Sequence, residues 1–145
     1  MIISDILSIS TVYLYIIPLI SYIITKDSYH IRAFIGILIT LIISICIRNI
    51  IIKEVSVRPY GATNCDIMAT NGNRGGKPGM PSSHTAIVVF FALFYLRYIT
   101  NPILCVMLIL YTISIIVSRY DKKCHSVPQI VGGALLGIGI HCVVK

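Results

Sequence analysis

Long apolar runs separated by polar breaks dominate the chain, and only one break is long. From Ile6 to Thr25 no residue is charged, and Asp5 and Lys26 bracket the run. A second run extends from about Ile31 to Ile52, interrupted by Arg48 near its end. A third begins at Ser83 and reaches Ile99, with Arg97 where a long side chain can snorkel to an interface. A fourth, starting at Tyr98 or Pro102 and ending at Ser118, and a fifth, from Ser126 to Val144, complete the set. A bilayer-crossing helix needs roughly 20 apolar residues. The pattern therefore predicts an all-α integral membrane bundle of about five transmembrane helices, over 6–25, 31–52, 83–100, 102–118 and 126–144. Without repeats, low-complexity tracts or long linkers, the chain reads as one domain over 1–145. The first run follows an acid and exceeds the apolar core of about 7 to 15 residues of a signal peptide, so it is expected to stay as an anchor.

Composition narrows the classes. Hydrophobic residues make up 57% of the chain and charged ones 12%, with a mean hydropathy of +0.90. Soluble domains carry roughly 25% charged residues, so a water-covered surface is excluded, and so is disorder, which needs low hydrophobicity. A net charge of +7 and a pI near 9.3 invite a nucleic-acid reading. That reading needs a basic face on a soluble fold, whereas these charges sit in breaks between spans. The expected partner is the lipid bilayer, with no nucleic acid.

Alternation of five spans sorts the breaks by side. The breaks at 26–30 and 100–102 and the C-terminus share one side; the 53–82 and 119–125 breaks share the other with the N-terminus. That second face holds Arg48, Lys53, Arg58, Arg74, Lys77, Arg119, Lys122 and Lys123, against Lys26, Arg32, Arg97 and Lys145 opposite. Positive-inside counting would make the richer face cytosolic. The rule holds only where basic residues have no other task, so the residues alone leave orientation open.

The richer face also collects the candidate chemistry. The long break holds five glycines (Gly61, Gly72, Gly75, Gly76, Gly79) and three prolines (Pro59, Pro78, Pro81) and ends in Pro81-Ser82-Ser83-His84. Ser82 or Ser83 suits the N-cap of the third helix, and a helix N-terminus attracts anions. The short break carries Arg119 and His125, and Gln129 lies four residues on, where its oxygen can fix the imidazole tautomer. Taken singly, each is also an ordinary capped helix start or a basic interfacial loop. Together, two histidines and the arginines Arg58 and Arg119 return to one face. Phosphoryl transfer through a covalent intermediate needs that set: a neutral imidazole nucleophile, a protonated imidazole and fixed positive charge.

These residues resemble the type 2 phosphatidic acid phosphatases (PAP2), relatives of the haloperoxidases, whose pattern reads K-x6-R-P, P-S-G-H and S-R-x5-H-x3-D. Arg58-Pro59 is similar to the end of the first part. Pro81-Ser82-Ser83-His84 is similar to the second with Ser for Gly, and Ser118, Arg119 and His125 to the third. The resemblance implies an integral-membrane phosphatase acting on a lipid phosphate or diphosphate, with neither metal nor organic cofactor. His125 would be the nucleophile and His84 the proton donor, with Arg58, Arg119, Ser82 and the Ser83 amide holding phosphate. It also implies an extracytosolic or lumenal site, and the Gly-Met-Pro-Ser-Ser-His stretch is most similar to the dolichyl-diphosphatase branch. Family members usually have six spans, one more than here.

Two positions depart from the pattern. The family lysine falls at Ile51, leaving Lys53 or Arg48 as its replacement. Lys53 is preferred as the loop-proximal cation, although two helical residues turn it by about 200°. Gln129 replaces Asp, as in the dolichyl-diphosphatase and glucose-6-phosphatase branches. The alternative function is an inactive PAP2-like protein that binds headgroups or serves in assembly.

Several further features carry less. The 72–78 stretch is not a P-loop, since its spacing differs and Pro78 stands in place of Ser or Thr; it reads as a lid or linker, with Lys77 at best a secondary phosphate contact. Cys46, Cys105 and Cys142 read as packing residues, while Cys65 and Cys124 can pair only if their face is extracytosolic. Gly133 and Gly137 have small-xxx-small spacing suited to packing within the bundle. His141 reads as interfacial, without a catalytic role.

Overall fold

The structure, a computed structural model, describes residues 2–144; Lys145 lies outside them. Six α-helices follow in order: α1 (Ile2–Ser10), α2 (Tyr13–Thr25), α3 (Ser28–Cys46), α4 (Ser83–Leu96), α5 (Pro102–Asp121) and α6 (Val127–Val144). Among the described residues there are no strands, only two isolated antiparallel bridges, Val57 with Pro78 and Thr63 with Asn73. The expected helical membrane bundle is what forms.

Local chemistry sets the boundaries. The first apolar run is split at Thr11-Val12, where the Thr11 hydroxyl donates to the Ser8 carbonyl and the next amides reach back three residues instead of four. Lys26, in the left-handed region with φ of 61°, stops α2 by donating its N–H to the Tyr22 carbonyl. The second run continues past α3 as a π-helical turn (Ile47–Ile52) and a short 3-10 turn (Lys53–Val55). Asn101 caps α5, its Oδ1 accepting from the amides of Ile103 and Leu104, with Pro102 in the first turn where its missing N–H costs nothing.

Four helical stretches are long and apolar enough to cross a membrane: Ile2–Thr25, Ser28–Val55, Pro102–Asp121 and Val127–Val144. The third predicted span is shorter than expected. It ends at Leu96 rather than near residue 100, leaving a 14-residue helix of about 21 Å against a hydrocarbon core of roughly 30 Å. Hydropathy misread it because α4 is apolar for a different reason: it is the central helix. Ala86, Ile87, Val88, Phe90, Phe91, Phe94 and Tyr95 are all buried, and α3, α5 and α6 pack around it. The surrounding helices carry the reverse pattern, with Ile42, Ile103, Met107, Leu110, Leu135 and Val143 exposed outward, as lipid contact requires.

The closest packing is α6 on α4. A Cβ at Gly133 would come within 2.5 Å of the Ser82 carbonyl oxygen, and one at Gly137 within 2.4 Å of that of Ala86. These backbone atoms cannot move aside, whereas a Cβ at Gly139 would meet nothing within 4 Å. Gly137→Ala is therefore expected to cost about 1–3 kcal/mol and lower the unfolding temperature in detergent. Gly139→Ala serves as the comparison and should leave it unchanged or slightly raised, since alanine favours helix; equal behaviour of the two variants would contradict this packing.

Candidate active site

The 56–82 loop folds back over the end of the bundle. The Arg58 amide donates to the Lys77 carbonyl, the Arg74 amide to that of Ala62, and the Gly79 amide to that of Ser56. A disulfide joins Cys65 to Cys124, tethering the loop beside His125 and answering the pairing that the sequence left open. At Gly79 the backbone presses so close that a Cβ would lie 2.7 Å from Gln129 Oε1 and 2.9 Å from Arg58 Cγ. Beneath the loop lies a cavity of about 260 Å³.

Gln129 determines the state of His125. Its amide nitrogen donates to the Val57 carbonyl (2.8 Å) and to Ser56 Oγ (3.1 Å), so its oxygen must face His125. That Oε1 lies 3.3 Å from His125 Nδ1 and 3.2 Å from the Ser126 amide nitrogen. An amide oxygen only accepts, so Nδ1 carries the proton and Nε2 keeps its lone pair. Nε2 sits 3.2 Å from Arg58 Nη1, which also donates to the Cys124 carbonyl at 2.8 Å. Burial, with Arg58 adding to it against the opposing Gln129 contact, holds the His125 pKa well below the ordinary 6.5. Burial and the charges of Arg48, Arg74 and Arg119 pull Arg58 down to about 10, so it stays a cation at neutral pH.

His84 lies one residue into α4, and its Nε2 has no hydrogen-bond partner. His84 and His125 both line the cavity, as do Arg58 and Ser83. The Ser83 hydroxyl is hydrogen-bonded to Ser44 Oγ (2.7 Å) and accepts from Arg48 Nη1 (3.1 Å). Two expected contacts are placed differently. Ser82 caps α4, its Oγ receiving the Thr85 hydroxyl at 3.0 Å and the Thr85 amide, and it does not line the cavity. Arg119 stands behind the cavity wall, fully buried; its Nη2 donates to the Ser4 carbonyl, Ser8 Oγ and Ser118 Oγ, while Nη1 has no partner.

Lys53 is not brought to this cavity. It is exposed, with φ of 42°, beside a separate shallow cavity lined by Ile51, Ile52, Glu54, Val55 and Pro78. Arg48 lines the cavity of the two histidines instead. A π-helical turn starts at Ile47 and changes the angular spacing of a regular α-helix, and Lys53 follows it at a positive φ.

Other cavity residues carried no motif. Arg74 comes from the loop, and its Nε is buried without a partner. Asp66 lines the cavity too, its carboxylate accepting from the Thr70 and Asn71 amides and the Thr70 hydroxyl. Burial pushes its pKa up, but these donors outweigh that and hold it below the usual value. Thr11 and Tyr15 arrive from the break in the first span, and Leu41 and Ile87 complete an apolar wall. Asp5 of α1 pairs with Lys122, which also donates to the Asn64 carbonyl at 2.7 Å. Among the described residues, no three His, Cys, Asp or Glu side chains group to hold a metal ion.

The His125 environment sets a pH dependence with a definite sign. The folded chain resists protonation that the unfolded chain accepts near 6.5, so this contribution to stability is full above about 6.5 and declines as pH falls below it. Thermal unfolding in detergent should shift to lower temperature between about pH 7 and pH 5. His125→Asn should reduce that slope, with His84 sharing the remainder, and identical slopes would show that His125 does not contribute to it.

A family model described as the PAP2 superfamily matches residues 33–145. No curated protein and no solved structure matches the chain significantly. The matched stretch covers most of the chain and contains Arg58, His84, Arg119 and His125, and the chain belongs to the PAP2 superfamily.

Proposed function

We propose that this protein is an integral-membrane phosphatase that hydrolyses the phosphate or diphosphate group of a lipid through a phosphohistidine on His125. The observation that carries this reading is the set of unpartnered buried atoms around the two histidines: His84 Nε2, Arg58 Nε, Arg74 Nε and Arg119 Nη1. Buried polar groups in native proteins are nearly always satisfied. A tetrahedral oxyanion in the cavity supplies acceptors for Arg58 and Arg74 and a partner for a proton on His84, with Arg119 adding charge from behind the wall.

In the first step His125 Nε2 attacks phosphorus, and the bond from phosphorus to the leaving oxygen breaks. His84 delivers a proton to that oxygen, and a lipid alcohol or lipid monophosphate departs. In the second step His84 takes a proton from water, whose oxygen attacks the phosphohistidine. The P–N bond breaks, and inorganic phosphate and neutral His125 are restored. Gln129 keeps Nδ1 protonated throughout, and Arg58 neutralises charge on the equatorial oxygens. The apolar wall of Tyr15, Leu41 and Ile87 suits the first carbons of a lipid tail. The Cys65–Cys124 pair supports an extracytosolic or lumenal site face, since disulfides persist in oxidising compartments.

Purified protein should release phosphate from phosphatidate or a polyprenyl diphosphate, and His125→Ala should abolish it. Rapid quenching with labelled substrate should trap phosphate on His125. Gln129→Leu should lower kcat about a hundredfold with little change in KM. Turnover that survives in His125→Ala would sink the mechanism, and headgroup binding without turnover would favour the non-catalytic alternative. For sidedness, a membrane-impermeant amine reagent should reach the exposed Lys77 from the extracytosolic side; labelling from the cytosol alone would reverse the assignment.

A further inference from the structure

Three guanidinium groups, from Arg48, Arg58 and Arg74, line the cavity, and a fourth, Arg119, lies behind its wall. Their charge is not matched within the protein. Asp5 with Lys122 is the only ion pair among the described residues, and it lies outside the cavity lining. The lone cavity carboxylate, Asp66, is turned to the amides and hydroxyl of its own loop. Under the proposed reading, Arg58 beside His125, with Arg119 behind it, balances the dianion of one phosphate. Arg48 and Arg74 are then in surplus.

Their anchoring differs from that of Arg58. Arg48 is fixed on Ser83 at the start of α4, whereas Arg58 is fixed on the Cys124 carbonyl and His125. Arg74 is carried by the loop. Its backbone is held by the hydrogen bond to Ala62 and the adjoining Thr63–Asn73 bridge, two residues from the disulfide-linked Cys65. Its Nε is buried and unpartnered on the same cavity. A tethered loop that holds a half-buried arginine over an anion site, with no acceptor from the protein, is a built feature of that site.

We propose that Arg74, with Arg48, forms a second phosphate subsite that reads the lipid-proximal phosphate of a diphosphate substrate, making Arg74 a specificity determinant for diphosphates over monophosphates. This rests on the proposed phosphatase reading for its catalytic consequence, though the subsite itself is a matter of binding. In the transfer step the terminal phosphorus goes to His125 Nε2, and the P–O bond to the bridging oxygen breaks. The electron pair stays on the departing lipid monophosphate, whose charge Arg74 and Arg48 neutralise.

The test uses two substrates with one tail, farnesyl diphosphate and farnesyl monophosphate, with full-length wild type, Arg74→Gln, Arg74→Lys and His125→Ala in detergent. Arg74→Gln should lower the diphosphate-to-monophosphate ratio of kcat/KM about tenfold to a hundredfold, the range for a lost charged hydrogen bond, and Arg74→Lys should restore part of it. Direct titration with inorganic diphosphate and inorganic phosphate supplies a readout independent of turnover. Wild type and His125→Ala should both prefer diphosphate, and Arg74→Gln should lose that preference. Comparing inorganic with farnesyl diphosphate separates headgroup from tail. An unchanged ratio and unchanged binding preference in a folded Arg74→Gln protein overturn the subsite, as does equal loss on both substrates. Diphosphate-selective binding that depends on Arg74, without hydrolysis of either lipid, would overturn the catalytic reading while leaving the subsite standing.

Discussion

Burying several guanidinium groups without carboxylate partners is the constraint around which this end of the bundle is arranged. A charge removed from water is costly unless polar groups replace the lost hydration. Here neutral acceptors do so: Ser83 Oγ for Arg48, the Cys124 carbonyl for Arg58, and Ser118, Ser8 and the Ser4 carbonyl for Arg119. Neutral acceptors hold an arginine in place without cancelling its charge. Carboxylates would have made a more balanced interior and a weaker anion site. The arrangement leaves net positive charge and unsatisfied N–H groups facing one cavity, and that is the state from which binding an anion gains most.

The same constraint gives the N-terminal helix its role. The family match starts at residue 33, beyond α1 and α2. Yet α1 supplies Ser4 and Ser8 to Arg119 and Asp5 to Lys122, and Lys122 in turn reaches the Asn64 carbonyl in the loop. The break at Thr11-Val12 lets one apolar run do two jobs, with α1 against α5 and α2 against α3. A straight helix would have to favour one neighbour. Thr11 and Tyr15, flanking the break, consequently meet the cavity.

What the sequence made legible follows from which signals are local. Apolar runs report membrane helices, and alternation brought His84 and His125 to one face without any knowledge of packing. The contact of Gln129 with His125 was readable because residues four apart can meet along a helix. The sequence favoured Lys53 as the loop-proximal cation, against the angular count; residues 47–52 form a π-helical turn, and Arg48 rather than Lys53 lines the cavity. Arg74 lies in a loop whose path depends on the disulfide and two bridges between distant residues, so no periodicity points to it. The length of α4 was misjudged because hydropathy does not distinguish a helix buried in protein from one facing lipid.

That short central helix explains why the site needs a lid. A tight turn of five residues joins α4 to α5, so the two begin level at that end, and α5 has 20 residues against 14 in α4. The six-residue difference leaves the start of α4, with His84, about 9 Å short of the far end of α5. The 56–82 loop fills this recess, pressed in at Gly79 and pinned at Cys124, and it brings Arg58 and Arg74 down to the level of the histidines. Under the proposed function, a headgroup reaching them would leave the aqueous layer and descend between helices whose outer faces are apolar. For a free phosphate that descent means losing hydration with nothing in return but the arginines. A lipid phosphate is already anchored at the bilayer and keeps its chain among apolar side chains as the headgroup moves in. On that reading the recess would suit an amphiphilic phosphate better than a soluble one, through geometry as much as through charge.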